Sequence, residues 1–289
     1  MPFGTRLAAA MDRHGPLCVG IDPHPGLLER WDLPDDVAGL RRFALTVVEA
    51  LAGSVAALKP QSAFFERHGS AGVAVLEEVV AAVRGSGTQL VVDAKRGDIG
   101  STMDGYADAY LRPGAPLAGD ALTVSPYLGF GSLGPAVDAS RDGGRGVFVL
   151  ALTSNPEGAS VQHARLVGAD GAPGPSVAGI VAAEAARVNA AEIARTGAPL
   201  GPVGLVVGAT IGGAARMLGV DLTAVGGPLL APGVGAQGAG PAELADVFGD
   251  ARRAVLASVS RGVLGAGPDP QGLLAAARRT AEEVGAALR

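Results

Sequence analysis

Cysteine is almost absent from this chain: among 289 residues only Cys18 is present, so no internal disulfide can form. It falls within a predicted strand, where a small buried thiol serves as core filler, and this usage fits a reducing cytoplasm. Histidine is also scarce. His14, His24, His68 and His163 form no helical pair and have no cysteine neighbour, so no zinc site and no other metal constellation is expected. No apolar run is long enough for a membrane span. The most apolar long window, Phe43 to Leu58, is broken by Glu49 and Gly53, and Met1 to Gly15 lacks the apolar centre of a signal peptide. Basic residues never cluster beyond pairs such as Arg41-Arg42 and Arg278-Arg279, and the net charge is −5. A polyanionic nucleic-acid partner is therefore not expected. No P-loop occurs, and neither Gly-x-Gly-x-x-Gly string, at 129–134 or at 233–238, is followed by the acidic residue at the end of the next strand that a dinucleotide-binding fingerprint needs.

The most informative scarcity is lysine. The chain has only two, Lys59 and Lys95, and each ends an apolar run; arginine supplies nearly all other positive charge. Arginine holds its proton at any ordinary pH, whereas burial and neighbouring charges tune a lysine for proton transfer.

Glycine and proline are plentiful, at 45 and 20, but they fall between apolar runs and mark many short connections. Apolar strand candidates and amphipathic helix candidates alternate along the whole chain. Leu17 to Ile21 precedes a helix over Asp36 to Leu51, and Val55 to Leu58 precedes one over Gly72 to Val83. Gln89 to Val92 leads to Ile99 to Leu111, Ala121 to Val124 leads to Gly131 to Ala139, and Val147 to Leu152 leads to Val177 to Arg195. Between the last two, Gly158 to Ser176 reads as a long inserted loop. Val203 to Val207 with Ala214 to Leu218, Leu229 to Ala231 with Ala242 to Phe248, and Ala254 to Val259 with Gly272 to Leu288 bring the count to eight. Eight strand-helix units in one domain-sized chain point to a single-domain α/β protein, a (β/α)8 TIM barrel over residues 1–289. A doubly wound open sheet is the alternative that periodicity leaves open.

Polar residues follow the strand candidates, at the end where α/β proteins place chemistry. The third unit is the densest, Asp93-Ala-Lys-Arg-Gly-Asp98. Strand alternation puts Asp93 and Lys95 on one face, and Asp98 is placed to brace the ammonium from the other side. Asp22, Lys59, Ser125, Thr153, Ser154 and Thr210 stand at other strand ends. The stretch after the seventh strand, Ala231 to Gly238, is rich in glycine and carries Gln237. After the eighth, Ser260-Arg261-Gly262 sets a guanidinium at a helix start. Close backbone approach, amide donors and Arg261 together make a seat for a phosphate.

These residues carry a resemblance. The pattern Asp-x-Lys-x-x-Asp at Asp93, Lys95 and Asp98, with Asp22 in VGIDP, Lys59 in LKPQSAFFE, APGVGAQG ending at Gly238 and SRG at Arg261, resembles the orotidine 5′-phosphate decarboxylases. DAKRGDIGST and SPYLGFGSL are most similar to the longer bacterial type. The resemblance implies cofactor-free decarboxylation of orotidine 5′-monophosphate, with Lys95 donating a proton to C6 and Asp93, Asp98 and Lys59 completing a charged array. It further implies Asp22, Lys59 and Thr102 on the ribose side, Ser154 on the pyrimidine side with Ser125 as its competitor, and Gln237, Arg261 and Gly262 around the phosphate. It also implies a homodimer in which Asp98 and Thr102 enter the partner's site. Two other readings stand beside it: a magnesium-dependent sugar-phosphate enzyme of the same superfamily, and a barrel that binds a nucleotide phosphate without catalysis.

Overall fold

Eight parallel strands close into a barrel in the computed structural model, which describes residues 1–234 and 239–288. The barrel strands are β1 (Leu17–Ile21), β2 (Ala57–Pro60), β3 (Gln89–Arg96), β4 (Ala121–Val124), β5 (Gly146–Leu152), β8 (Val203–Val207), β9 (Leu229–Pro232) and β10 (Val255–Val259); β6 (Arg165–Val167) and β7 (Pro173–Ser176) form a separate hairpin. Pairing runs β1-β10-β9-β8-β5-β4-β3-β2 and returns to β1, so the open-sheet alternative falls away. The barrel strands are buried nearly from end to end, as parallel strands covered on both faces must be, except that β3 opens to solvent over Ala94, Lys95 and Arg96.

Two apolar layers hold the barrel. The outer one lies between strands and helices, where Leu40, Phe43 and Val47 of the helix Val37–Leu51 pack with Val75, Leu76 and Val79 of the helix Gly69–Val83. The inner one takes one residue from every barrel strand: Cys18, Ala57, Val91, Ala121, Phe148, Val206, Leu230 and Leu256. Burial of this order contributes about 1.5–3 kcal/mol for each large side chain. The helix Phe3–His14 closes the end below this layer by inserting Phe3, Leu7 and Ala10. Phe3 meets Phe148 edge-on at 6.2 Å, and Gly146 is needed there because a Cβ would lie 2.3 Å from the Phe3 ring. Arg6 fastens the same helix, donating to Asp120 at 2.8 Å and Gln89 at 3.2 Å.

The inner layer sets the composition of the opposite end. Alternation carries the inward face from Cys18 to Gly20 and Asp22, from Ala57 to Lys59 and Gln61, and from Val91 to Asp93. The same count gives Ala121, Thr123 and Ser125, and Leu256, Ser258 and Ser260. An apolar floor thus rises into a polar mouth at the carboxyl ends of the strands.

Several helices begin where a side chain can satisfy their free amides. Asp36 accepts from Gly39 at 2.9 Å, Ser176 from Gly179 at 3.0 Å and Asp269 from Gly272 at 2.8 Å. Most helix and strand bounds match the sequence reading within a few residues. The stretch 158–176 does not, because it carries structure of its own: the short helix Ala159–Gln162 and the antiparallel β6-β7 hairpin. Its turn closes through Gly168 N–H to Ala172 O and Gly171 N–H to Gly168 O, both 2.9 Å, with Gly171 at φ +79°. Pro173 and Pro175 break the alternating pattern that would have marked a strand.

Candidate active site

Lys59 and Asp93 meet inside the mouth. Lys59 is the penultimate residue of β2, and its side chain, 8% exposed, donates from Nζ to Asp93 Oδ2 at 2.7 Å. Burial pulls the Lys59 ammonium down, but Asp93 and then Asp22 outweigh it and raise its pKa above the ordinary value. Asp93 shows the converse balance: burial pushes the carboxyl up, while Lys59 and then Lys95 hold it well below the ordinary range. Both groups are charged at neutral pH.

Lys95 reaches the same carboxylate from the solvent side, with Nζ 2.7 Å from Asp93 Oδ1 and a side chain 44% exposed. Its backbone is unusual. At φ +47° it is one of two non-glycine residues with positive φ among those described, a conformation that costs about 1–2 kcal/mol. The β3-β4 register shifts between Val92 and Arg96, so Lys95 sits in a bulge and leaves the ladder. Its amide donates instead to Thr123 Oγ1 at 2.9 Å, and that hydroxyl donates to Asp93 Oδ1 at 2.8 Å. Gln61 Oε1 stands 3.5 Å from Lys95 Nζ. Asp93 therefore gathers three donors, two of them charged.

Asp22, the first residue after β1, faces this cluster. Its Oδ2 accepts from Ser260 Oγ at 2.5 Å, and Gly20 leaves the necessary space, since a Cβ there would lie 2.5 Å from Ser260 Oγ. The other oxygen, Oδ1, is buried and has no hydrogen-bond partner among the described residues, an acceptor that a ligand hydroxyl would satisfy. Cys18 lies below, its thiol pushed up to about 12 chiefly by burial, which makes it an inert core residue.

The other sequence-predicted residues are spread around the rim. Ser154 is exposed after β5, and Gly208, after β8, lies against it: a Cβ on Gly208 would stand 3.0 Å from the Ser154 nitrogen. Ser125 is half-buried, and its amide donates to Arg96 O at 2.7 Å. Arg261 and Gly262 open the four-residue helix Arg261–Leu264; both are exposed, and Arg261 has no ion pair among the described residues. Gln237 and Gly238 lie outside the described residues.

Asp98 does not join the array within one chain. Its Oδ1 accepts from the Ile99 amide at 2.8 Å, and Lys95 Nζ has Asp93 and Gln61 as its partners instead. The bulge explains this, because uniform strand alternation cannot be extrapolated through a left-handed Lys95. Thr102 is exposed on the helix Gly100–Leu111. Sequence reasoning missed Thr123, Gln61 and Ser260. Counting in twos from Ala121, Lys59 and Ser258 reaches all three, but only once the inward register is known.

The pair predicts its own response to substitution and to pH. Asp93→Asn leaves the Lys59 ammonium buried beside a neutral amide and is expected to cost about 3–5 kcal/mol of folding stability. Because Asp93 titrates below its ordinary 3.8 and Lys59 above its ordinary 10.5, the pairing contributes fully between those values. It is lost as pH falls through the depressed Asp93 value or rises through the raised Lys59 value. Urea unfolding of wild type and Asp93→Asn should give a constant difference from about pH 5 to pH 9. A difference that disappears near neutrality would show that the groups are not both charged.

With this geometry in view, the relatives are informative. The model of the orotidine 5′-phosphate decarboxylase / HUMPS family matches residues 15–277. An orotidine 5′-phosphate decarboxylase of Streptomyces coelicolor is 60% identical over 283 residues, covering 98% of this chain and 97% of the relative. A crystal structure from Streptomyces avermitilis superimposes with a TM-score of 0.90 at 60% identity, covering 99% of this chain and 96% of that one. The Leishmania donovani OMP decarboxylase structure does so at 0.73 and 33%, covering 100% and 99%. End-to-end identity of this order, over a barrel whose mouth holds Lys59, Asp93 and Lys95, leaves one assignment: the chain belongs to the orotidine 5′-phosphate decarboxylase / HUMPS family.

Proposed function

We propose that this protein decarboxylates orotidine 5′-monophosphate to uridine 5′-monophosphate in pyrimidine nucleotide synthesis. The observation that carries this reading is the Lys59-Asp93-Lys95 array, in which one buried carboxylate at 2.7 Å from each ammonium holds both rare lysines at the mouth. A sugar-phosphate enzyme working through magnesium needs an acidic ligand at a neighbouring strand end, and β2 offers Lys59 there.

Loss of carbon dioxide from C6 leaves an electron pair in the ring plane with little resonance relief. The barrier reduction required lies high in the span of about 8–23 kcal/mol that most enzymes supply. In this reading Lys95 stabilises the carbanion left at C6 when the bond to carbon dioxide breaks and then gives that carbon its proton, leaving a neutral amine that solvent reprotonates. Asp93 acts mainly by position, since its charge is already met by two ammoniums and the Thr123 hydroxyl. Repulsion of the departing carboxylate by so neutralised a group would be weak. Asp22, whose Oδ1 has no partner among the described residues, and Lys59 serve the ribose hydroxyls, and Ser154 serves the pyrimidine edge. Arg261, Gly262 and Gln237 take the phosphate, whose binding energy drives closure and desolvation at C6.

Asp98 and Thr102 are assigned to the site of a second copy. Asp98 lies just before the extended N-cap Ile99 and Thr102 in the first turn of the helix Gly100–Leu111, so the two stand at the same helix entrance, although Asp98 is outside the helix and the four-residue spacing does not place it on a helix face. Ile99 beside them is 62% exposed, and Tyr127 and Leu128 on the next loop are 78% and 53% exposed, an apolar margin suited to burial against another barrel. The proposed assembly is a two-fold homodimer with composite sites, and its proposed location is the cytoplasm. Among the described residues no helix is long and apolar enough to cross a membrane.

Lys95→Ala should reduce turnover of orotidine 5′-monophosphate, followed by pyrimidine absorbance, by at least about a thousandfold. Binding of uridine 5′-monophosphate should survive, because Arg261 grips the phosphate independently. A variant that retains substantial turnover would reject Lys95 as the proton donor. Mixing Lys95→Ala with Asp98→Ala under subunit exchange should restore activity, because each hybrid dimer regains one intact site. Equal amounts give about half hybrids and so roughly a quarter of wild-type activity. Exchange verified by differently tagged chains, with no recovery, would confine Asp98 to its own chain.

A further inference from the structure

Thr123 belongs to no recognised motif, yet it is 1% exposed beneath the reacting array. Its hydroxyl has one proton and two lone pairs, and the geometry uses both functions at once. Oγ1 accepts the Lys95 backbone N–H at 2.9 Å and donates to Asp93 Oδ1 at 2.8 Å. The first bond replaces one that the bulge removes. Beyond Val92 the β3-β4 register breaks and resumes only at Arg96 opposite Val124, so the Lys95 amide has no ladder carbonyl to meet. The second bond falls on the same carboxylate oxygen that receives Lys95 Nζ at 2.7 Å. One side chain therefore touches both ends of the lysine, directly at the backbone and through Asp93 at the ammonium.

Packing alone gives no reason for a hydroxyl at this point, since valine has the same shape and the inner barrel uses Val91 and Val206 nearby. We infer that Thr123 is a positioning residue for the decarboxylation, holding Lys95 in its left-handed conformation with the ammonium fixed on Asp93. The inference rests on the function proposed above. Acting through Lys95, Thr123 affects the chemical step and leaves the distant phosphate grip alone.

The test compares Thr123→Val, which keeps the volume, with Thr123→Ser, which keeps the hydroxyl. For valine, kcat for orotidine 5′-monophosphate should fall roughly 10- to 100-fold, the order expected of a displaced reacting group, with KM changed only a few fold. Serine should retain most of the activity. A second readout needs no substrate. With only two lysines in the chain, [15N]lysine labelling leaves two lysine backbone amides, and Lys59 is the internal control. Hydrogen exchange at the Lys95 amide should accelerate at least about tenfold in Thr123→Val while Lys59 is unchanged. Thr123→Ala removes the same two bonds and takes the place of valine if that variant does not fold. Wild-type kcat in the hydroxyl-free variant, serine as impaired as valine, or parallel acceleration of both amides would each overturn the assignment. If wild type itself fails to turn over orotidine 5′-monophosphate, the proposed activity falls, and the amide measurement still decides whether Thr123 locks Lys95.

Discussion

A single carboxylate shared by two ammoniums is the constraint on which the mouth of this barrel depends. Asp93 receives Lys59 on one oxygen and Lys95 on the other, both at 2.7 Å. Lys59 is buried, with its side chain 8% exposed, and stays charged because Asp93 and Asp22 outweigh its desolvation. Lys95 is half open to solvent, available to a ligand while still anchored. In the proposed reading carboxylate, buried ammonium and exposed ammonium have different tasks: the first organises, the second neutralises, and the third is left for chemistry.

The rest of the fold prepares this arrangement. The inner apolar layer and the helix Phe3–His14 fill the barrel from below, so the polar mouth rests on a packed floor. Closure of the sheet brings β1, β2, β3, β4 and β10 around the cluster, which is why Asp22, Lys59, Asp93, Thr123 and Ser260 meet despite their separation in sequence. The bulge at Lys95 stores local strain at the point of greatest chemical interest, and the surrounding hydrogen bonds over-determine it.

Much of this is legible in the sequence itself. The alternation of eight apolar runs with helical segments implied the barrel, and the scarcity of lysine singled out Lys59 and Lys95. What stayed hidden has physical causes. The hairpin within 158–176 was masked because Pro173 and Pro175 lie in a strand, where alternation and propensity both argue otherwise. Thr123 was masked because a lone threonine in an apolar run reads as a β-former, and its role comes from a bulge in the neighbouring strand. Asp98 was expected beside Lys95 on spacing alone, but the left-handed turn at Lys95 redirects the chain between them.

The central claim is that Asp93 works by holding Lys95 in place and not by repelling the substrate's carboxylate. It is tested most directly by comparing two reactions of wild type and Asp93→Asn. One is decarboxylation of orotidine 5′-monophosphate; the other is exchange of the C6 hydrogen of uridine 5′-monophosphate, or of its 5-fluoro analogue, with deuterated solvent. Both pass through the same ring carbanion, but only the first involves a carboxylate. The account predicts that Asp93→Asn slows both by a similar factor, because each needs a placed Lys95. Loss of decarboxylation with exchange untouched would contradict it, and a wild-type protein catalysing neither reaction would contradict the assignment of the site as a whole.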